Sequence, residues 1–223
     1  NTAVAIWGVK EHYDYVRPIS AIRYLARIGE LPLIPGLIEE ITSSTAESYH
    51  SHLSFYIGSI AVNCWPGEPD NPETEAGGRE WILGQDWLPY QREFFVTPAF
   101  AGYVSGHSGF SRAAAEVMTL FTGSSFFPGG LFSHTIPAGY LKFEAGPTED
   151  VTLQWATYYD AADEAGESRI YGGIHVSPDD GPGRVMGQKI GQAAYKHAKK
   201  YWNGDILNQP LIVLNNDGIF WFQ

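Results

Sequence analysis

Three short stretches hold side chains suited to chemistry on an oxyanion. KEHYDYVRP sets Lys10 and Arg17 seven residues apart, two helical turns, so on one continuous helix both project from nearly the same face. TPAFAGYVSGH, 97–107, places Ser105 and Gly106 where a helix would begin. Free amide hydrogens there suit an anion, and Gly106 lets it approach the backbone. His107 then falls on the first turn. SRIYGGIHVSPDD, 168–180, offers the planar donor fork of Arg169, two glycines that relieve crowding (Gly172 and Gly173), and His175, whose nitrogen can ligate a metal or attack an electrophile. Asp179 is one helical turn further on and can accept from the imidazole, or cap the helix that follows. Taken singly, each stretch has an ordinary explanation: a solvated basic edge, a surface histidine after a cap, a glycine-rich turn with a satisfied histidine. Their conjunction is what carries weight.

The elements that must position these residues are mostly helical. The periodicity predicts helices over 2–16, stopped before Pro18, over 19–29, closed by Gly29, and over 43–63. Residues 65–98 lack a period and read as a long functional or linking loop. A helix over 105–123 follows, capped by Ser105 and closed by Gly123, then a loop to about 147. Helices over 151–165 and 183–202 come next, the last with its basic residues near the end that favours them. Strand-like runs are expected only in the closing NQPLIVLNNDGIFWF. The expectation is one mainly α domain spanning 1–223, a helical bundle with long loops and little β.

The 223 residues are 44% hydrophobic, enough for a substantial core, and carry a formal charge of −11. That charge argues against nucleic acid and anionic membranes as partners. No apolar run is long enough to span a bilayer, and no signal peptide opens the chain. The first residues read as the inside of a helix and lack an initiating Met, so a processed chain or the carboxy-terminal part of a longer one is expected. A single cysteine, Cys64, excludes an internal disulfide and reads as packing. His50 and His52 lie two apart and would point to different sides of a helix, so no shared metal is expected. His12 falls off the Lys10/Arg17 face, and His134 and His197 have no identifiable partners. The acidic loop 67–80 lacks a calcium-ligand pattern.

Lys-x6-Arg-Pro, then Ser-Gly-His, then Ser-Arg-x5-His-x3-Asp, here Lys10, Arg17 and Pro18, Ser105, Gly106 and His107, and Ser168, Arg169, His175 and Asp179, resembles the signature shared by vanadium-dependent haloperoxidases and the type 2 phosphatidic acid phosphatase superfamily. Val104 departs from it, standing where the family usually has proline. Trp7 and Phe100 match aromatic positions of the fungal chloroperoxidase type, and SRIYGGIHV with PDDGPGRVMGQKIGQAA is similar to bacterial haloperoxidases. The resemblance implies the haloperoxidase and acid phosphatase bundle. It also implies vanadate held through a ring nitrogen of His175, with oxygens accepting from Lys10, Arg17, Ser105, Gly106 and Arg169. His107 would move the proton of hydrogen peroxide, Lys10 would polarise it, and halide would be oxidised to hypohalous acid, with an organic acceptor as a further partner. A secreted or periplasmic setting follows from the same resemblance, and a homo-oligomer is compatible with it. The alternative is a soluble acid phosphatase in which His175 attacks phosphorus, His107 protonates the leaving group and Asp179 orients His175. A mere oxyanion-binding module has no use for both histidines.

Overall fold

The computed structural model describes residues 1–71, 74–90, 96–142 and 146–205. The closing stretch expected to be strand-like therefore lies outside the described residues. Helices dominate: α1 (Thr2–Tyr13), α2 (Pro18–Arg27), the single turn α3 (Ser43–Ala46), α4 (Gly106–Thr122), α5 (Tyr158–Tyr171) and α6 (Ser177–Trp202). Five short strands accompany them, against the expectation of strands only at the end. β1 (Ile38–Glu40), β2 (Ile60–Cys64) and β3 (Glu80–Leu83) form an antiparallel sheet in that order. β4 (Phe132–Ile136) and β5 (Val151–Trp155) form a two-stranded ribbon.

Two predicted helices are corrected. Residues 43–63 hold α3, a 3₁₀ segment (Ser51–Tyr56) and β2, separated by Gly58 at φ 89°, a value side chains disfavour. β2 is the central strand, and its run of buried apolar residues cannot be told from a buried helix by period alone. Residues 151–165 divide into β5 and the start of α5. The division is fixed at Thr157, whose hydroxyl accepts from the Asp160 amide (3.1 Å) while the Asp160 carboxylate accepts from the Thr157 amide (2.8 Å). The loop predicted over 65–98 contains β3 and a 3₁₀ turn (Gly84–Asp86), and the next one contains β4.

α1 ends three residues earlier than expected. Asp14 turns into the left-handed region (φ 42°, ψ 47°) and its amide bonds the Lys10 carbonyl at 3.0 Å. Arg17 is then extended (φ −81°, ψ 154°) as the cap of α2, the geometry forced on a residue before proline. Lys10 and Arg17 therefore do not share a helical face; a break in the chain brings them together. α6 begins at Ser177, six residues ahead of the predicted start, and carries Pro182 within it.

The most extensive packing joins α4 to α6. Gly183, Gly187 and Gly191 make a bare stripe on α6. A β-carbon at Gly183 would lie 3.0 Å from the Ser105 carbonyl oxygen, and one at Gly191 2.7 Å from that of Ala113, while one at Gly187 would enter the backbone of Gly109. Such approach fixes the height of α6 against α4. Behind this seam, Ser108 donates to Asp180 (2.6 Å), which also binds Arg184 (2.7 Å), and Arg184 and Arg112 both bind Asp163 (3.0 and 3.1 Å). Cys64 is buried in the sheet region's apolar core, beside Val62 and Trp87, and burial pushes its thiol up to about 11. No helix among the described residues is long and apolar enough to cross a membrane.

Candidate active site

His175 sits in the short link between α5 and α6, 6% exposed, with Asp179 (1% exposed) on the first turn of α6. Asp179 Oδ2 lies 2.8 Å from His175 Nδ1 and also accepts from the Val176 amide at 3.3 Å. The carboxylate thus orients the imidazole and caps the helix, so both roles open to it in the sequence are filled. On the other side of the ring, Arg17 Nη1 lies 3.0 Å from His175 Nε2. A guanidinium can only donate, so Nε2 is the accepting nitrogen and the ring proton is on Nδ1, facing Asp179. Burial, ahead of all other causes, pushes the His175 pKa down, opposed by the bond to Asp179. The ring is therefore neutral at pH 7, with its lone pair at Nε2.

Arg17 is anchored twice more, Nε to the Phe100 carbonyl and Nη1 to the Ile174 carbonyl, each at 2.9 Å. Its Nη2 is buried without a hydrogen-bond partner. Lys10, 3% exposed, donates to the carbonyls of Ala101 (2.8 Å) and Gly102 (3.0 Å). Burial first, then the charge of Arg17, lowers its pKa from 10.5 to about 8, against the pull of Asp179. Gly102 lies close to the site: a β-carbon there would sit 3.3 Å from Asp179 Oδ2, and the carboxylate would have to shift slightly to admit it. The carbonyls of 100–102 and Ile174 were invisible in the sequence, because they act through the backbone.

Ser105 caps α4 as expected: its hydroxyl accepts from the Ser108 amide at 3.4 Å, and its own amide donates to the Asp179 carbonyl at 2.9 Å. That last bond ties the start of α4 to the start of α6. His107 is exposed on the first turn of α4, and its pKa is lowered by desolvation, then by the charges of Arg169 and His175. Arg169, half-buried in the last turn of α5, also acts electrostatically on Arg17. Trp7 and Phe100 flank the ammonium of Lys10, at 6.0 and 5.4 Å from their ring centroids, with the rings 5.2 Å apart.

Gly173 serves a different purpose from the one expected. It adopts φ 72°, and a β-carbon would meet the Pro89 backbone at 3.2 Å, so it is needed for the turn into α6 and its contact with residue 89. The glycine stripe of α6 and the Ser108–Asp180–Arg184 network were missed; the G-x3-G-x3-G spacing from Gly183 to Gly191 was the available signal. His50 is buried against Trp81 and bonded to Thr45 (3.0 Å), His52 bonds the Trp81 carbonyl (2.6 Å), and neither lies near the site.

Over residues 1–204 the chain matches the model of the VCPO second helical-bundle domain. The chain belongs to the vanadium haloperoxidase family. Two solved bacterial structures have a similar fold. A holo-type vanadium-dependent chloroperoxidase is 18% identical with a TM-score of 0.63, covering 89% of this chain. An apo-type structure is 20% identical with a TM-score of 0.66, covering 92%. The chain spans 33% and 35% of their respective lengths. Comparison with curated protein sequences gives no match.

The residues fit an oxyanion better than a bare metal cation. Lys10 and Arg17 hydrogen-bond to main-chain carbonyls and an imidazole rather than to carboxylates, and Arg17 Nη2 has a donor to spare. Among the described residues, no group of three His, Cys, Asp or Glu side chains could hold a cation. Donors of this kind suit the oxygens of an oxyanion.

Proposed function

We propose that this protein is a vanadium-dependent haloperoxidase, oxidising halide with hydrogen peroxide to hypohalous acid, with vanadate held through His175 Nε2. The observation that carries this reading is the pairing of His175 and Asp179 inside a cationic pocket: the proton is held on Nδ1, the lone pair is kept on Nε2, and a buried guanidinium N–H is left over. Bound vanadate would supply a Lewis-acidic centre at which peroxide becomes open to halide.

The chain's own residues do the rest. Asp179 fixes the imidazole's tautomer and direction, while burial keeps the ring neutral. Arg17 Nη1 must leave Nε2 when an oxyanion arrives, and its tether to the Phe100 and Ile174 carbonyls keeps the guanidinium at hand to donate to that anion. Lys10 and Arg169 add charge, and the Ser105 hydroxyl and Gly106 amide add donors at the start of α4. Charge-assisted hydrogen bonds contribute about 1.5–3 kcal/mol each, so a few of them hold a multiply charged anion in an acidic protein. His107, with a depressed pKa, is unprotonated at neutral pH and can take the proton of hydrogen peroxide. Lys10, flanked by the two aromatic rings, is the donor that would polarise bound peroxide.

That aromatic flank favours halide oxidation over phosphate hydrolysis, which needs no such wall. The test runs peroxide-dependent bromination of phenol red on vanadate-loaded protein beside hydrolysis of p-nitrophenyl phosphate by the vanadate-free protein. Bromination with little hydrolysis is expected. Strong hydrolysis with no bromination would establish the phosphohistidine alternative at His175.

A further inference from the structure

A cleft of about 590 Å³ opens beside Lys10, along one side of α1. That volume suits a small organic molecule. Its wall on α1 is the stripe Val4, Trp7, Glu11 and Asp14, spaced so that one helical face carries all four up to the capping residue. Phe100 closes the opposite side, its ring tilted 46° to that of Trp7, and both rings are 45% exposed. Lys10 is the cation among the lining residues, and its ammonium is buried and bonded to the carbonyls of Ala101 and Gly102. Glu11 and Asp14, both exposed, continue the same wall beyond Trp7. Two aromatic rings facing each other, with two carboxylates further along the α1 wall, match a ring that carries a positive charge, and disfavour one that carries a negative charge. Gly8 also lines the cleft, and a β-carbon there would meet no atom within 4 Å, so its bareness leaves the cleft open and is not required by packing.

We propose that this cleft binds the organic acceptor, and that the acceptor class is an aromatic amine whose ring lies against Trp7 and Phe100 while its ammonium faces Glu11 and Asp14. The assignment rests on the haloperoxidase reading for the fate of the acceptor, and on the cleft alone for its binding.

The test is therefore a binding measurement, by calorimetry on the full chain without vanadate or peroxide. The probes are tyramine and 4-hydroxyphenylacetate, which share a ring and differ in the sign of the side-chain charge. Tyramine is expected to bind about fivefold more tightly, the upper scale of exposed ion pairs. In Glu11→Gln/Asp14→Asn the preference should fall to within about twofold. Gly8→Leu, which fills the cleft, should lose tyramine binding while its melting temperature stays at or above that of the parent, and Gly8→Ala should fold equally well with a smaller loss. Equal affinity for the two probes, a preference untouched by the double substitution, or full tyramine binding in a folded Gly8→Leu would each overturn the assignment. A protein that discriminates as described yet brominates nothing would overturn the haloperoxidase reading and leave the cleft assignment standing.

Discussion

The helical bundle and the small sheet region hold together by different means. Around β1, β2 and β3 the core is ordinary apolar packing: Leu31, Ile60, Val62 and Trp87 on one side, Ile41, Leu53, Ala61 and Leu83 on the other. His50 is the one buried polar side chain of that region among the described residues. In the bundle, polar burial matches apolar burial. Among the described residues Ile6, Val104, Ala113, Ala115, Tyr158, Ala162 and Ile174 are buried there, and so are Lys10, Arg17, Ser105, Ser108, Glu116, His175, Asp179 and Asp180. Bare glycines bring the helices close enough for those polar groups to meet. Burying charge is expensive unless each group finds a partner, so the bundle carries a cost that the sheet region does not, and that cost is what the proposed anion site would explain.

The largest expected effect separates ligand from shuttle within the bundle. His175→Ala should abolish vanadate retention, measured as vanadium remaining after gel filtration. His107→Ala should keep the vanadium and lose about 10²–10⁴-fold in bromination rate. If His175→Ala retained vanadium normally, the attachment atom assigned here would be wrong.

A second pair of variants contrasts the regions directly. Ile41→Ala, fully buried in the sheet region, should cost about 2–5 kcal/mol in chemical denaturation while leaving sulfate affinity within twofold of the parent. Gly187→Ala should cost about 1–3 kcal/mol by forcing α6 off Gly109, and should weaken sulfate binding as well. Equal loss of sulfate affinity in both variants would mean that the regions are not separable.

The smallest effect is a pH dependence. Lys10 is charged below its pKa of about 8 and loses its proton as pH rises through it. Between pH 7 and 9 the site therefore sheds one positive charge, and affinity for sulfate, whose own charge is constant there, should fall by about tenfold. His107 and His175, both pushed below 6.5, take no part in that window. For folding the sign is opposite. A lysine whose pKa is depressed in the fold opposes folding while protonated, and that cost is relieved between about 8 and 10.5.

How much of this was legible in the sequence follows the same division. α4 was readable to its last residue, because Ser105 and Gly123 are unambiguous start and stop residues. The candidate site residues could be picked out because they have chemically distinct types at fixed spacing, and the structure places His175, Asp179, Arg17 and Lys10 of that set together. The sheet region was read as helix and loop, since a central strand buried on both faces shows no alternation and its pairing partners lie far away in sequence. Lys10 and Arg17 were rightly joined for a wrong reason, a shared helical face that ends at Tyr13. The acceptors that hold their cations are carbonyls, which no residue type announces.

The bond from the Ser105 amide to the Asp179 carbonyl has one more consequence. It holds the start of α4 against that of α6, and α2 begins just after Arg17. Three helices thus open within two residues of Arg17, Ser105 or His175, each presenting roughly half an elementary positive charge at its first turn. Together they make a local field of more than one unit of charge that no titration removes. A protein with a formal charge of −11 in this way keeps, at one point on its surface, a standing invitation to anions.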